Sequence, residues 1–521
     1  MTVDPAFRIA EAVAIAGGRF VAVGDDGAVS ALAGTGTRSI DLEGRTVIPG
    51  LADDHLHGAG GGPGVDLSWT RSIQDVLDAI AERVAQTPAG GVVVTNSDWH
   101  EAQLAEQRLP LRRDLDLVSP QHPVVVVRGG HEYVLNSAAL ARWQIDASTP
   151  VPDGGRISRY PDGELDGELV DAAKRYVTLP SPRERTRDEQ LAAAVAEFET
   201  LHAAGLTSVR LAGISGEQYR LLEELQQRDQ LTMRVNALLR PDGGLAPAAF
   251  EQTLDGWGLV QDQGDEWLRV GGVKLGVDGG FEGGWMRGPY EPPYDQGGTF
   301  RGLQTMPSDR YIEIVRRLNR RGWRVGTHAV GDAAIDLVLE AYEAANAEQT
   351  IVGRRWSLEH GFIAWPDQLA RMRALELVIS AQDHLYLAGP SLVRYWGARR
   401  AAMTTPVRSY LEAGLVVAGG TDAPVVPYSP IWALYHFVTR DTITGGIMGA
   451  DQGVSREQAL RLMTLNNAYL TFEEASKGSI EPGKLADLVV LSGDVMTCSD
   501  AELQDLVPVM TMVGGSIVYE R

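Results

Sequence analysis

The amino-acid sequence predicts an α/β protein: a (β/α)8 TIM barrel with a small β-sandwich built from both chain termini and a large insertion after the first barrel strand. Three observations predict this architecture. The 521 residues exceed the roughly 250 that a barrel alone requires. Through the middle of the chain, strand-like apolar runs alternate with longer helical patterns, as in βαβ units. Both ends instead carry short β-rich runs bracketed by Gly/Asp turns.

At the start these runs are Ala12–Ile15, Arg19–Val23 and Thr46–Ile48, with the turn Gly24-Asp25-Asp26-Gly27; at the end they are Leu488–Leu491 and Ile517–Tyr519. Neither end has enough strands to bury a sheet face alone, so residues 1–48 and 471–521 are expected to form one sandwich. Residues 49–470 then hold the barrel. Its expected strands are Val47–Ala52, Thr207–Leu211, Met233–Leu239, Val270–Val277, Trp323–Thr327, Trp356–Leu358, Leu377–Ser380 and Leu415–Gly419. A helix over Ala333–Ala345 follows the fifth, with Ile335, Leu337, Val338 and Tyr342 at helical spacing. The gap at about residues 59–200 is too long for a βα connection and has its own strands, Val92–Thr95 and Val124–Arg128. An insertion at that point sits at the catalytic mouth, where it can shape a pocket.

Composition narrows the function classes. Apolar residues make up 44% and charged residues 22%, the range of ordinary globular proteins. With 69 acidic against 47 basic residues the net charge is −22, which repels phosphate backbones and anionic lipid. The expected partner is a small-molecule substrate, with no nucleic acid and no membrane; a homo-oligomer is left open. Cys498 is the sole cysteine and lies far in sequence from the histidine-bearing segments, so neither a disulfide nor a nucleophilic thiol is expected. Met1–Gly24 shows no basic segment followed by an apolar core, and no later run reaches the ~20 apolar residues of a membrane span. Both features point to the cytoplasm.

The chemistry-bearing residues cluster at strand ends. His55 and His57 are two apart in Asp53-Asp54-His55-Leu56-His57, so on a strand both project to one face and can grip one ion. Imidazole suits zinc and other late divalent metals. His328 ends the fifth strand, His360 the sixth and Asp422 the eighth, while Lys274 lies inside the fourth, with Asp278 as a candidate partner. Barrel enzymes gather catalytic groups from the C-terminal ends of several strands.

With these segments in view the chain resembles the amidohydrolase superfamily, and more closely its amidohydrolase-3 branch, which includes N-substituted formamide deformylase-like proteins. The segments that carry the resemblance are Pro49–His57, His131–Leu140, Val273-Lys274 with Asp278-Gly279, His328–Ala334, Leu358-Glu359-His360, Thr421–Val425 and the tail Gly483–Leu491. The resemblance implies that His55, His57 and Asp422 hold one metal and His328 and His360 a second, with a carboxylated Lys274 bridging them. An ammonium beside two divalent cations would be strongly repelled, which independently favours the carbamate. A divalent metal pair is therefore the expected cofactor, zinc first, with manganese or iron served by the same ligands.

The implied reaction is cleavage of an amide-type C–N bond of a small molecule by metal-activated hydroxide. Asp422 takes the proton and passes it to the leaving nitrogen. His131 and His384 are candidate oxyanion donors, and Trp99, Trp285, Tyr386 and Trp396 candidate contacts for an apolar N-substituent. Deamination, lactam or lactone opening, and non-hydrolytic decarboxylation or isomerisation fit the same ligands, as does a non-catalytic binding protein. Two positions depart from the family's pattern: Arg210, where an aspartate is usual, and Asp383, where a proline is common.

Overall fold

The computed structural model describes residues 1–62, 64–180, 184–291, 296–425 and 429–521. Eight parallel strands run consecutively around one sheet. They are Leu51–Leu56, Leu206–Ile214, Arg234–Leu239, Leu268–Gly276, Val325–Ala329, Ser357–His360, Val378–Gln382 and Val416–Gly420. The barrel closes between the first and eighth: the Asp422 N–H donates to His55 O and the His57 N–H to Ala423 O, both at 2.8 Å. Its register sets Gly276 beside His328 and His328 beside Glu359. Residues from three strands thereby reach one level.

The helices follow the apolar pattern, some with a side-chain cap and some without. Asp332–Glu348 buries Ile335, Leu337, Val338 and Tyr342 against the barrel. Gly216–Gln227 begins at a capping box in which the Ser215 hydroxyl accepts from the Gln218 N–H.

The first strand differs from its expected bounds. The apolar run expected over Val47–Ala52 is divided at Gly50. Val47–Pro49 pairs antiparallel with Leu488–Leu491 in the terminal sheet, and the barrel strand begins at Leu51. A Cβ at Gly50 would lie 2.2 Å from the Thr207 hydroxyl, so only glycine lets the chain turn this close to the second strand. The shift carries His55 onto the strand itself and leaves His57 just past its end.

The terminal sheet orders Ser516–Glu520, Pro508–Val513, Leu488–Leu491 and Val47–Pro49. Over it lies a hairpin of Ala12–Ala16 and Arg19–Gly24. Alternation along one strand explains both packings: Leu488 and Val490 join Phe20, Met510 and Met512 under the hairpin, while Val489 and Leu491 join the barrel core. Arg234 pins the two units together with a bidentate pair to Asp487 at 2.7 and 3.0 Å.

Between the first two barrel strands the chain forms a five-stranded sheet, ordered Val93–Val94, Val124–Arg128, Glu132–Leu135, Leu165–Asp171 and Gly155–Arg159. Apolar clusters cover it, one around Val126 and Trp99 and one around Val125 and Leu169. No helix among the described residues is long and apolar enough to cross a membrane.

Candidate metal centre

The first strand presents His55 inward, and its orientation is fixed from behind. Nδ1 lies 2.6 Å from a carboxylate oxygen of Glu359. Glu359 in turn receives both arms of Arg210, at 2.9 and 3.0 Å, and a bond from Ser357. Arg210 also donates to Ser357 Oγ and to the Asp54 carbonyl, at 2.8 and 3.1 Å. A carboxylate on Nδ1 selects the tautomer whose Nε2 lone pair faces the interior. That Nε2 stands 3.2 Å from Lys274 Nζ and 3.6 Å from Asp422 Oδ1. His360 is treated alike: Nδ1 meets the Gln382 side-chain carbonyl at 2.7 Å.

One ligand atom each from His55, His360 and Asp422 lies within 4.8 Å of the others, and all three residues are buried. His57 Nε2 is 3.2 Å from Asp422 Oδ1. His328 packs its ring on His360 at 4.5 Å, with its Nε2 3.2 Å from the Gly279 carbonyl. All six positions predicted as metal ligands thus converge. The tightest set joins His360 to His55 and Asp422 rather than to His328. Asp278 does not partner Lys274: it accepts N–H bonds from Trp285, Val330 and Gly331, 3.5 Å from His328. His360 and Asp422 both have left-handed backbone, with φ of 72° and 59°, a strain of about 1–3 kcal/mol that clusters at functional sites.

The electrostatics suit a cation. Burial, with the nearby Lys274, pushes His55 down to about 4, and burial holds His328 and His360 well below the usual imidazole value. The imidazoles are neutral donors. Burial opposes ionisation of Asp422, yet His55, His384 and His57 outweigh it and hold the carboxyl well below its ordinary range. Burial lowers the Lys274 amine to about 8. Asp422 Oδ1 is buried and makes no hydrogen bond among the described residues, although imidazole nitrogens face it at 3.2 and 3.6 Å. Imidazole nitrogens turned toward a carboxylate oxygen are a donor set that fits a divalent ion.

A pocket opens above this centre. Its lining includes His328, His360 and Asp422, together with Phe281, Phe362 and His384. The insertion contributes Arg128 and His131. His384 Nε2 holds Asp422 Oδ2 at 3.0 Å. His131 Nδ1 holds Asp171 at 2.6 Å; burial lowers this imidazole, but Asp171 more than offsets it and the value is raised.

The expected aromatic contacts need correction. Trp99 is fully buried in the insertion, its indole N–H donating to the Val127 carbonyl at 2.7 Å. Trp285 packs against the barrel core. Tyr386 is buried against Trp432, its hydroxyl accepting from Gln504. Trp396 lies behind Phe362. None of the four lines the pocket. Trp99 and Tyr386 are buried where a backbone carbonyl or a side-chain amide meets the polar end of the ring. Phe281 and Phe362, stacked at 5.8 Å, supply the aromatic wall instead. Sequence reasoning also missed Glu359, Gln382 and Asp171 as supports of the histidines. A signal existed for Glu359, since a charged residue inside the strand Ser357–His360 demands a buried partner.

A centre of imidazoles and carboxylate at the C-terminal ends of barrel strands, roofed by an inserted domain, defines the class of metal-centred barrel hydrolases. The chain belongs to the amidohydrolase family, whose sequence profile matches residues 38–519, and with it to the metal-dependent hydrolases of carbon–nitrogen bonds. N-substituted formamide deformylase of Arthrobacter pascens is 30% identical over 533 aligned residues, covering 100% of this chain and 97% of the relative. Among solved structures, an uncharacterized metal-dependent hydrolase from Pyrococcus horikoshii OT3 superposes with a TM-score of 0.67 at 22% identity, covering 94% of this chain and 95% of that one. A second, from Pyrococcus furiosus, gives 0.64 at 26% identity and covers 93% and 95%.

Proposed function

We propose that the protein hydrolyses the amide C–N bond of small N-formyl or N-acyl amines. The observation that carries this reading is the convergence of His55, His360 and Asp422 within 4.8 Å at the ends of three barrel strands. Likeness along nearly the whole chain to a formamide deformylase supports the substrate class. The stacked Phe281 and Phe362 suit an apolar N-substituent beside a compact acyl group.

His55, His57 and Asp422 would hold one divalent ion and His328 and His360 a second, zinc being the expected metal. Lys274, if carboxylated, would supply a further oxygen ligand; its lowered amine favours the free base that carboxylation requires. When bound, such ions lower the pKa of water from 15.7 toward about 7 and polarise a carbonyl. The chain's own groups do the rest. Asp422 Oδ1 accepts the proton of the attacking water and returns it to the leaving nitrogen. His384, 3.0 Å from Oδ2, fixes the carboxylate during both transfers. His131, braced by Asp171, faces the substrate carbonyl as a hydrogen-bond donor. Phe281 and Phe362 exclude water from the N-substituent.

The test is metal analysis of the purified protein together with formate and amine release from a panel of N-alkyl and N-aryl formamides. About two equivalents of metal and turnover abolished by chelation and restored by zinc are expected. A protein that takes up no metal, or a metallated protein releasing neither formate nor amine from any formyl or acyl amide, overturns the proposal.

A further inference from the structure

A second cavity lies inside the barrel at the opposite end from the mouth. Arg324 directly precedes the strand Val325–Ala329 and Arg355 lies two residues before the strand Ser357–His360, and with Arg210 they line this cavity. Asn236, Ser357 and Thr471 add polar walls, and no acidic side chain lines it among the described residues. Three guanidinium groups around one small space is an uncommon arrangement in a chain of net charge −22.

Their counter-charges belong to other places. Arg210 spends its arms on Glu359, above the cavity. Arg355 pairs with Glu474 at 2.6 and 3.0 Å, and Arg324 with Asp262, whose side chain is 54% exposed. Arg324 is itself only 11% exposed, and its Nε is buried without a hydrogen-bond partner among the described residues. The Phe472 ring lies 4.4 Å from the Arg324 guanidinium and 4.0 Å from that of Arg355, which holds both planes in place. Burial and the cations Arg354, Arg210 and Arg355 push Arg324 down to about 10. The terminal nitrogens of Arg210 are engaged by Glu359, Ser357 and the Asp54 carbonyl, so the donor left over beside this cluster of cations is the Arg324 Nε.

We propose that this cavity binds a small inorganic anion, a halide or a compact oxyanion, held by the Arg324 guanidinium with Asn236 as a neutral donor. An anion here relieves the mutual repulsion of the guanidiniums and satisfies the Arg324 Nε. It also rests against Arg210, the residue that holds Glu359 and through it His55. The site is separate from the metal centre and draws on none of the proposed ligands.

The experiment is calorimetric titration of the full-length protein with sodium phosphate and, separately, with sodium chloride in a zwitterionic buffer otherwise free of small anions. Saturable binding of one of the two is expected. Arg324→Gln weakens it by about tenfold or more, the loss of a charge-assisted contact. Asn236→Leu keeps every cation, guards against a misfolded arginine variant, and is expected to weaken the same isotherm. Asp422→Ala, which alters the metal centre, leaves it unchanged. The proposal falls if neither anion binds, if Asp422→Ala abolishes binding while Arg324→Gln preserves it, or if both cavity variants, folded by circular dichroism, bind as the wild type does.

Discussion

Replacing Arg210 with methionine tests how the metal centre is held. Arg210 makes four contacts of 2.8 to 3.1 Å: two to Glu359, one to Ser357 and one to the Asp54 carbonyl. Both partners of the ion pair are shielded, with side-chain exposures of 5% and 0%. Burial raises Glu359, and the Arg210 charge, with the His55 contact, outweighs that to keep it ionised. Without Arg210 the carboxylate is left buried and uncompensated, which costs about 3–5 kcal/mol. It then takes up a proton and no longer orients His55 as an anion would, so affinity for the metal falls about 10- to 100-fold. Urea denaturation reads the first quantity, and competition of the apo-protein against a chromophoric chelator reads the second. Arg210→Met/Glu359→Gln removes both charges and is expected to recover more than half of the lost stability, since an ion pair removed whole is far less damaging than one broken. If Arg210→Met changes stability by less than about 1 kcal/mol and binds zinc as the wild type does, Arg210 does not hold Glu359 and the reasoning fails.

Two further outcomes follow from the site. Asp422→Asn is expected to cut kcat for formamide hydrolysis by roughly 100- to 10,000-fold in a folded protein, and a variant within a few fold of wild type defeats the proton-transfer role. His131, raised above its unfolded value of 6.5 by Asp171, contributes stability that is full below that value and is lost as pH rises through its folded one. Asp171→Asn removes this component, so the fall in Tm from about pH 6 to about pH 9 should shrink; an unchanged profile shows that the pair does not titrate as described.

Much of the fold was legible in the sequence, because each barrel strand is an apolar run with a helical pattern behind it, and all eight runs fall on observed strands. The exception is instructive. Val47–Ala52 reads as one strand, yet Gly50 divides it between two sheets, a division set by the approach of Thr207 and invisible to periodicity. Within the site, the histidines and Asp422 could be located because strand ends are readable. Their supports could not. Arg210 and Glu359 are 149 positions apart, and only the closed barrel shows that each answers the other's charge. Arg210 looked like a departure from the family's pattern and proves to be the counter-ion of the glutamate in Leu358-Glu359-His360. The aromatic wall was misread because loop aromatics carry no periodic signal that tells a pocket-facing ring from a packed one.

The joint at Pro49-Gly50 also bears on how the molecule is made. The segment that holds Asp53 and His55 leaves the ribosome early, but its partners arrive late. Glu359 follows His55 by 304 residues, Thr421 follows Asp53 by 368, and the terminal strand Leu488–Leu491 that pairs with Val47–Pro49 is later still. Until those segments emerge, the strand Leu51–Leu56 has a partner along only one edge, Leu206–Ile214, and the contacts that complete it, so distant in sequence, form slowly. A chain cut anywhere before residue 422 has no seam to close and no complete donor set. The proposed donor set for a divalent metal is therefore complete only once Asp422 has emerged, and retention of such an ion would report that synthesis has passed that point.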